Sequence, residues 1–197
     1  MQYRLRFPRT FDAACRYPLI VYLHGAGMRG TDLGALDSAA IFRYAESTDD
    51  FPALILAPLC EAETWFDVYE QLLALIDTVA ALPFVDREKI SLAGVSMGGY
   101  ASWQVLMSRA SLFSAAVICC GGGMYWNAAK LKNIPIKAFH GEKDTAVYPS
   151  ESRHMVDAVN REGGKASLVL LPDCDHNCWD AAFADAEVYR FLLRREG

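Results

Sequence analysis

The chain predicts an α/β fold: a doubly wound, mostly parallel sheet with helices on both faces. Three observations carry this. Short apolar runs of strand length alternate with longer amphipathic segments along the whole sequence. Runs such as Pro18-Leu19-Ile20-Val21-Tyr22-Leu23 carry almost no polar residue, as expected of strands covered on both faces. The apolar fraction, 53% of 197 residues, is enough for one sizeable core, so a single domain spanning 1–197 is expected.

In chain order, strands are expected near 4–7 and 18–24, a helix near 35–46, a strand near 53–57, a helix near 65–81 and a strand near 90–94. A helix near 97–109 follows, then strands near 115–120 and 135–140, a helix near 150–162, a strand near 166–171 and a helix near 179–195. Repeats, low-complexity tracts and linkers are absent from the sequence. Only about 45 residues separate Ser96 from the loop carrying Asp144, and they already hold a helix and two strands, which leaves no room for an inserted lid.

The junction between the fourth strand and its helix is Gly94-Val95-Ser96-Met97-Gly98. A serine on so sharp a turn projects its hydroxyl clear of the sheet, and small residues two positions to either side make the turn sterically feasible. The helix opening at Met97 aims free N–H groups and a positive dipole end at any negative charge formed beside Ser96. Three further parts are needed for nucleophilic catalysis, and the sequence offers each.

The strand near 18–24 ends in His24-Gly25-Ala26-Gly27, a loop able to set one backbone N–H opposite that of the residue after the serine. Ala26 and Met97 are thereby the expected oxyanion donors, while His24 reads as a structural hydrogen-bonding residue. Asp144 follows the strand near 135–140 in Gly141-Glu142-Lys143-Asp144, and His176 follows the strand near 166–171. The chain order serine, acid, histidine differs from that of the two well-known serine-protease folds.

These residues resemble the alpha/beta-hydrolase superfamily, and within it the small lidless esterases: dienelactone hydrolases, phospholipase/carboxylesterase proteins and predicted peptidases. The resemblance runs from about Tyr17 to about Leu192. It is carried by Leu23-His24-Gly25-Ala26-Gly27, Gly94-Val95-Ser96-Met97-Gly98-Gly99, His140-Gly141 with Asp144, and His176 followed by Trp179. One departure is visible: relatives of this kind carry Glu-Arg-Gly after the His-Gly-Ala-Gly loop, where this chain has Met28-Arg29-Gly30. Together, residues and resemblance imply acyl transfer to water by Ser96, His176 and Asp144 on a small or medium carboxylic ester. Thioesters and peptide bonds are alternative substrates of the same machinery, and a non-catalytic binding protein that keeps the fold is the alternative of another class. Met28, Trp65, Tyr125, Trp126 and Tyr148 are candidate pocket walls, with Trp179 expected to pack.

The net charge of −5 and a pI near 5.4 argue against nucleic-acid or anionic-membrane partners. No apolar run reaches the roughly 18 residues of a membrane span, and the first residues lack an apolar signal region, so a cytoplasmic location is expected. The six cysteines read as thiols rather than a disulfide framework. Cys174 and Cys178 bracket His176, but a zinc knuckle wants four ligands and no second cluster completes it, so neither metal nor cofactor is expected. A local disulfide between these two stays open, as does the oligomeric state.

Overall fold

The computed structural model describes residues 1–193. Seven strands form one sheet: β1 (Tyr3–Arg6), β2 (Tyr17–Leu23), β3 (Leu54–Pro58), β4 (Val85–Val95), β5 (Ala115–Cys119), β6 (Ile136–Gly141) and β7 (Ala166–Leu171). Their order is β1-β3-β2-β4-β5-β6-β7. Only β1, at the edge, runs antiparallel to its neighbour β3; every other pairing is parallel. The sheet is the mostly parallel, doubly wound one expected. Strand order reverses at β2 and β4, so the loops leaving these two strands meet at the switch point where ligand sites form in such sheets.

Side-chain alternation along the strands divides the core in two. Leu19, Val21, Leu23, Leu54, Leu56, Leu92 and Ile118 face helices α2 (Tyr69–Ala80), α3 (Met97–Ser108) and α4 (Pro149–Arg161). Ile20, Tyr22, Ile55, Ala93, Val117 and Phe139 face α1 (Ala40–Ser47), α5 (Trp179–Ala184) and α6 (Ala186–Leu192). Each buried aliphatic side chain contributes about 1.5–3 kcal/mol, and both layers are needed to fix the sheet from which the catalytic-edge loops emerge.

Four expected elements differ in outline. The strand expected near 90–94 is longer, running over Val85–Val95. The last helix is two, because Asp185 takes an extended conformation (φ −84°, ψ 120°) and its carboxylate caps the N–H of Glu187; of the expected 179–195 span, residues 194–195 lie outside the described residues. The helix expected from 65 starts at Tyr69, since the Asp67 carboxylate takes both the backbone N–H and the hydroxyl of Thr64 and holds that segment as a turn. The helix expected near 35–46 is a 3-10 turn (Leu33–Ser38) followed by α1, with an extended Ala39 between them. Between β5 and β6 the chain forms one 3-10 helix, Tyr125–Leu131, and no inserted domain. No described helix is long and apolar enough to cross a membrane.

Candidate active site

β4 ends at Val95 and α3 begins at Met97, so Ser96 makes the whole reversal alone, at φ 53° and ψ −119°. Such a conformation costs on the order of 1–3 kcal/mol in a residue with a Cβ. Gly94 and Gly98 make it possible by allowing backbone to touch backbone. A Cβ on Gly98 would lie 2.0 Å from the Leu23 carbonyl oxygen, and one on Gly94 would lie 2.5 Å from the carbonyl oxygen of Gly98. The glycines of this pentapeptide are therefore close-packing residues that press α3 onto β2 and β4.

The structure brings Ser96, His176 and Asp144 together. Ser96 Oγ lies 2.8 Å from His176 Nε2, and His176 Nδ1 donates to Asp144 Oδ2 at 2.7 Å. The loop after β6 gives Asp144 its geometry, for Oδ1 accepts the backbone N–H groups of Ala146 and Val147, each at 2.9 Å. Burial pushes the Asp144 pKa up, but the hydrogen bond from His176 and those two N–H groups outweigh it and hold the carboxyl below its ordinary value. An ionised Asp144 fixes the tautomer that leaves Nε2 free to take the proton of Ser96.

The His24-Gly25-Ala26-Gly27 loop sits against this turn. A Cβ on Gly25 would be 3.4 Å from that of Ser96, and the 3-10 turn Ala26–Met28 starts beside it. The first N–H groups of a helix lack intrahelical acceptors, so those of Ala26 and Met97 are available at the mouth of the site. His24 is wholly buried and braces the loop: Nδ1–H donates to the Gly25 carbonyl at 2.7 Å, and Nε2 accepts the Cys60 N–H at 3.0 Å. Burial lowers its pKa, which suits an acceptor nitrogen.

A pocket of about 420 Å³ opens at Ser96, walled by Tyr22, Met28, Ala39, Ala40, His176 and Trp179 among others. Of the five expected wall residues only Met28 belongs to it. Trp65 is 0% exposed, packed on the His24 ring with its Nε1–H donated to the His24 carbonyl; it supports the His24–Gly27 loop from beneath. Tyr125, Trp126 and Tyr148 are exposed and line no part of this pocket, because the 3-10 helix 125–131 and α4 pack on the opposite face of the sheet from Met28 and Trp179. Trp179, expected to pack, stands edge-on to His176 (5.3 Å, 89°) and lines the pocket as well. Its position three residues after the histidine, at the start of a helix, was the available signal. Nothing in the sequence marks Ala39 and Ala40 as wall residues; they arrive through the extended break before α1.

Cys174 and Cys178 are free thiols with different acceptors, the carbonyls of Asn177 and Phe139. Donor atoms of Cys120, Asp144 and His176 lie within 4.8 Å of one another. Two of these three groups are already bonded to each other, and burial together with the Cys178 thiol holds Cys120 protonated, so this trio is a poor match to the deprotonated, open ligand set of a zinc site.

The model of the dienelactone hydrolase family matches residues 43–187. Among named relatives, the chain is 29% identical over 183 residues to a protein called probable feruloyl esterase C of Aspergillus niger, covering 90% of this chain and 68% of that one. Among solved structures it is similar to a thermostable esterase, with 31% identity and a TM-score of 0.84 over 98% of this chain. It spans only 58% of that esterase's length. Est1E from Butyrivibrio proteoclasticus, solved with ferulic acid bound, shares the fold at 15% identity and TM-score 0.72, with 98% of this chain and 94% of that one covered.

Proposed function

This chain belongs to the dienelactone hydrolase family, and we propose that it hydrolyses small or medium carboxylic esters through an acyl-enzyme on Ser96. His176 takes the Ser96 proton as Oγ attacks the ester carbonyl, then gives it to the departing alcohol. Asp144 holds the imidazole, and the N–H groups of Ala26 and Met97 receive the oxyanion. Water, deprotonated by His176, releases the acid and restores Ser96. The observation that carries this reading is the unbroken run of short contacts, Ser96 to His176 at 2.8 Å and His176 to Asp144 at 2.7 Å, at the foot of an open pocket.

The pocket favours the acyl side of a dissolved substrate. Its walls are apolar, and the segment between β5 and β6 is too short to form a lid. Acetyl to butyryl esters are the expected optimum, and the names of the relatives add a feruloyl ester to the substrates worth testing. The acidic charge and the six free thiols support a small neutral ester as partner and a reducing compartment such as the cytoplasm. Rates across acyl chains of two to sixteen carbons, with ethyl ferulate alongside, test the reading. A maximum at short chains or at ferulate, with no jump at the solubility limit, is expected; a maximum at long chains, interfacial activation, or no hydrolysis of any ester would overturn it.

A further inference from the structure

Asp144 Oδ2 is approached by two imidazoles. The second is that of His140, at the end of β6, whose Nε2 lies 3.2 Å from the same oxygen that receives His176. His140 is 0% exposed, so it neither meets substrate nor exchanges protons directly with water. Its Nε2 also faces the Val147 carbonyl at 2.9 Å, and two acceptors on one nitrogen require that nitrogen to carry the proton. The opposite nitrogen, Nδ1, lies 2.7 Å from Ser152 Oγ on α4. Ser152 is also 0% exposed, and its single hydroxyl proton has two acceptors in reach, Nδ1 at 2.7 Å and the Gly121 carbonyl at 3.1 Å; with the His140 proton on Nε2, the bare Nδ1 at the shorter distance takes it. A Ser152 hydroxyl donated to Nδ1 keeps the His140 proton on Nε2, as Asp144 keeps the His176 proton on Nδ1.

We infer that His140, held in its tautomer by Ser152, is a positioning residue for the reaction: its Nε2–H ties down the Val147 carbonyl of the Asp144 loop and, 3.2 Å from Asp144 Oδ2, sets how much of that oxygen's charge His176 receives. This rests on the reading of Ser96, His176 and Asp144 as acyl-transfer machinery. The carboxylate accepts three N–H groups, two on Oδ1 and that of His176 on Oδ2, while the His140 Nε2–H, directed at the Val147 carbonyl, stands 3.2 Å from Oδ2 as a second positive edge against that oxygen. Without that nearby N–H, more of the negative charge of Oδ2 bears on His176. The imidazolium then forms more readily, so the acid limb of the activity profile moves to higher pH. The other titratable groups facing this cluster are Tyr100 on α3, Cys120 after β5, and Cys174 and Cys178 on the histidine loop. Burial pushes Tyr100 up to about 12 and raises Cys174, the hydrogen bond with Cys178 and then burial raise Cys120, and hydrogen bonds from Cys119 and Cys120 lower Cys178 to about 4, so none of the four titrates where an imidazole does.

The test is a pH profile of short-ester hydrolysis for His140→Leu and His140→Gln, with Ser96→Ala in parallel and melting curves for all. Gln carries an amide N–H at about the reach of the imidazole Nε2, whereas Leu fills the space without a donor. His140→Leu should lose kcat by roughly tenfold to a hundredfold, the scale of losing a positioning contact, with KM changed by less than about twofold. Its acid limb should move upward by roughly half a pH unit, and His140→Gln should recover most of both effects. A folded His140→Leu with kcat and acid limb unchanged, or equal damage in Leu and Gln, would overturn the inference. If His140→Leu fails to fold, Ser152→Ala decides: a smaller loss with the same direction of shift supports the inference, and an unmoved acid limb contradicts it. Ser96→Ala separates the two levels, since full activity there sinks the nucleophile reading itself, whereas an inert Ser96→Ala beside an unaffected His140→Leu sinks only this one.

Discussion

Two serine–histidine pairs converge on one carboxylate oxygen, and they differ in what surrounds them. Ser96–His176 stands at the pocket floor, with the His176 side chain 29% exposed, a strained backbone at the serine and the start of α3 beside it. Ser152–His140 has contacts as short, 2.7 Å against 2.8 Å between serine and imidazole, yet both residues are sealed. Ser152 sits in the first turn of α4 and is not among the residues that line the pocket at Ser96. The difference teaches that serine, histidine and aspartate within hydrogen-bonding distance do not by themselves make a nucleophile. On the proposed reading, access for a carbonyl and donors for its oxyanion divide the pair at Ser96 from the pair at Ser152.

The sharpest way to break this comparison is Ser96→Ala, which should cut hydrolysis of an activated aryl ester by about a thousandfold or more at unchanged melting temperature. Asp144→Asn touches both pairs at once and should cost roughly a hundredfold to ten-thousandfold in kcat. Neutralising Glu142, Asp173 or Asp175, all exposed and outside the triad contacts, should change kcat by less than about threefold in the same assay. Next comes pH. Because Asp144 is held below its ordinary value it stays ionised wherever an imidazole titrates, and only well into acid does its protonation begin to remove the stability that ionisation provides. The acid limb should then follow a single protonation, with log(kcat/KM) falling at a slope of one; a slope of two would place Asp144 in the same range.

Smaller effects sharpen the contrast. Ser152→Ala should lower kcat only about threefold, since it loosens the tautomer of His140 without touching the reacting atoms. Met28→Ala should shift the acyl optimum toward longer chains by about two carbons, each methylene being worth about 0.8 kcal/mol. Trp126→Ala should leave the series unchanged, with Trp126 72% exposed and away from the pocket.

The seven strands, and the loop positions of the three side chains that meet as Ser96, His176 and Asp144, were legible in the sequence because each follows a local pattern. A strand buried on both faces must be apolar, and a serine between a strand and a helix must have glycines where backbones touch, as at Gly94 and Gly98. The pocket walls were not legible. Trp65 and Trp126 look alike as aromatics on catalytic-edge loops, and only packing decides that one lies beneath His24 while the other faces solvent. His140 carried a signal, its place just before Gly141 and four residues before Asp144, but its second contact came from Ser152 on a different element. Sequence spacing alone does not reveal such a long-range partner.

The central claim is that one serine, Ser96, carries the acyl group. Reaction of the purified protein with a fluorophosphonate, followed by intact mass and peptide mapping, tests it most directly. The account predicts one adduct per chain, on Ser96, forming in step with loss of esterase activity, and none on Ser152. An active protein that takes no adduct, or a stoichiometric adduct on any other residue with Ser96 unmodified, would contradict it.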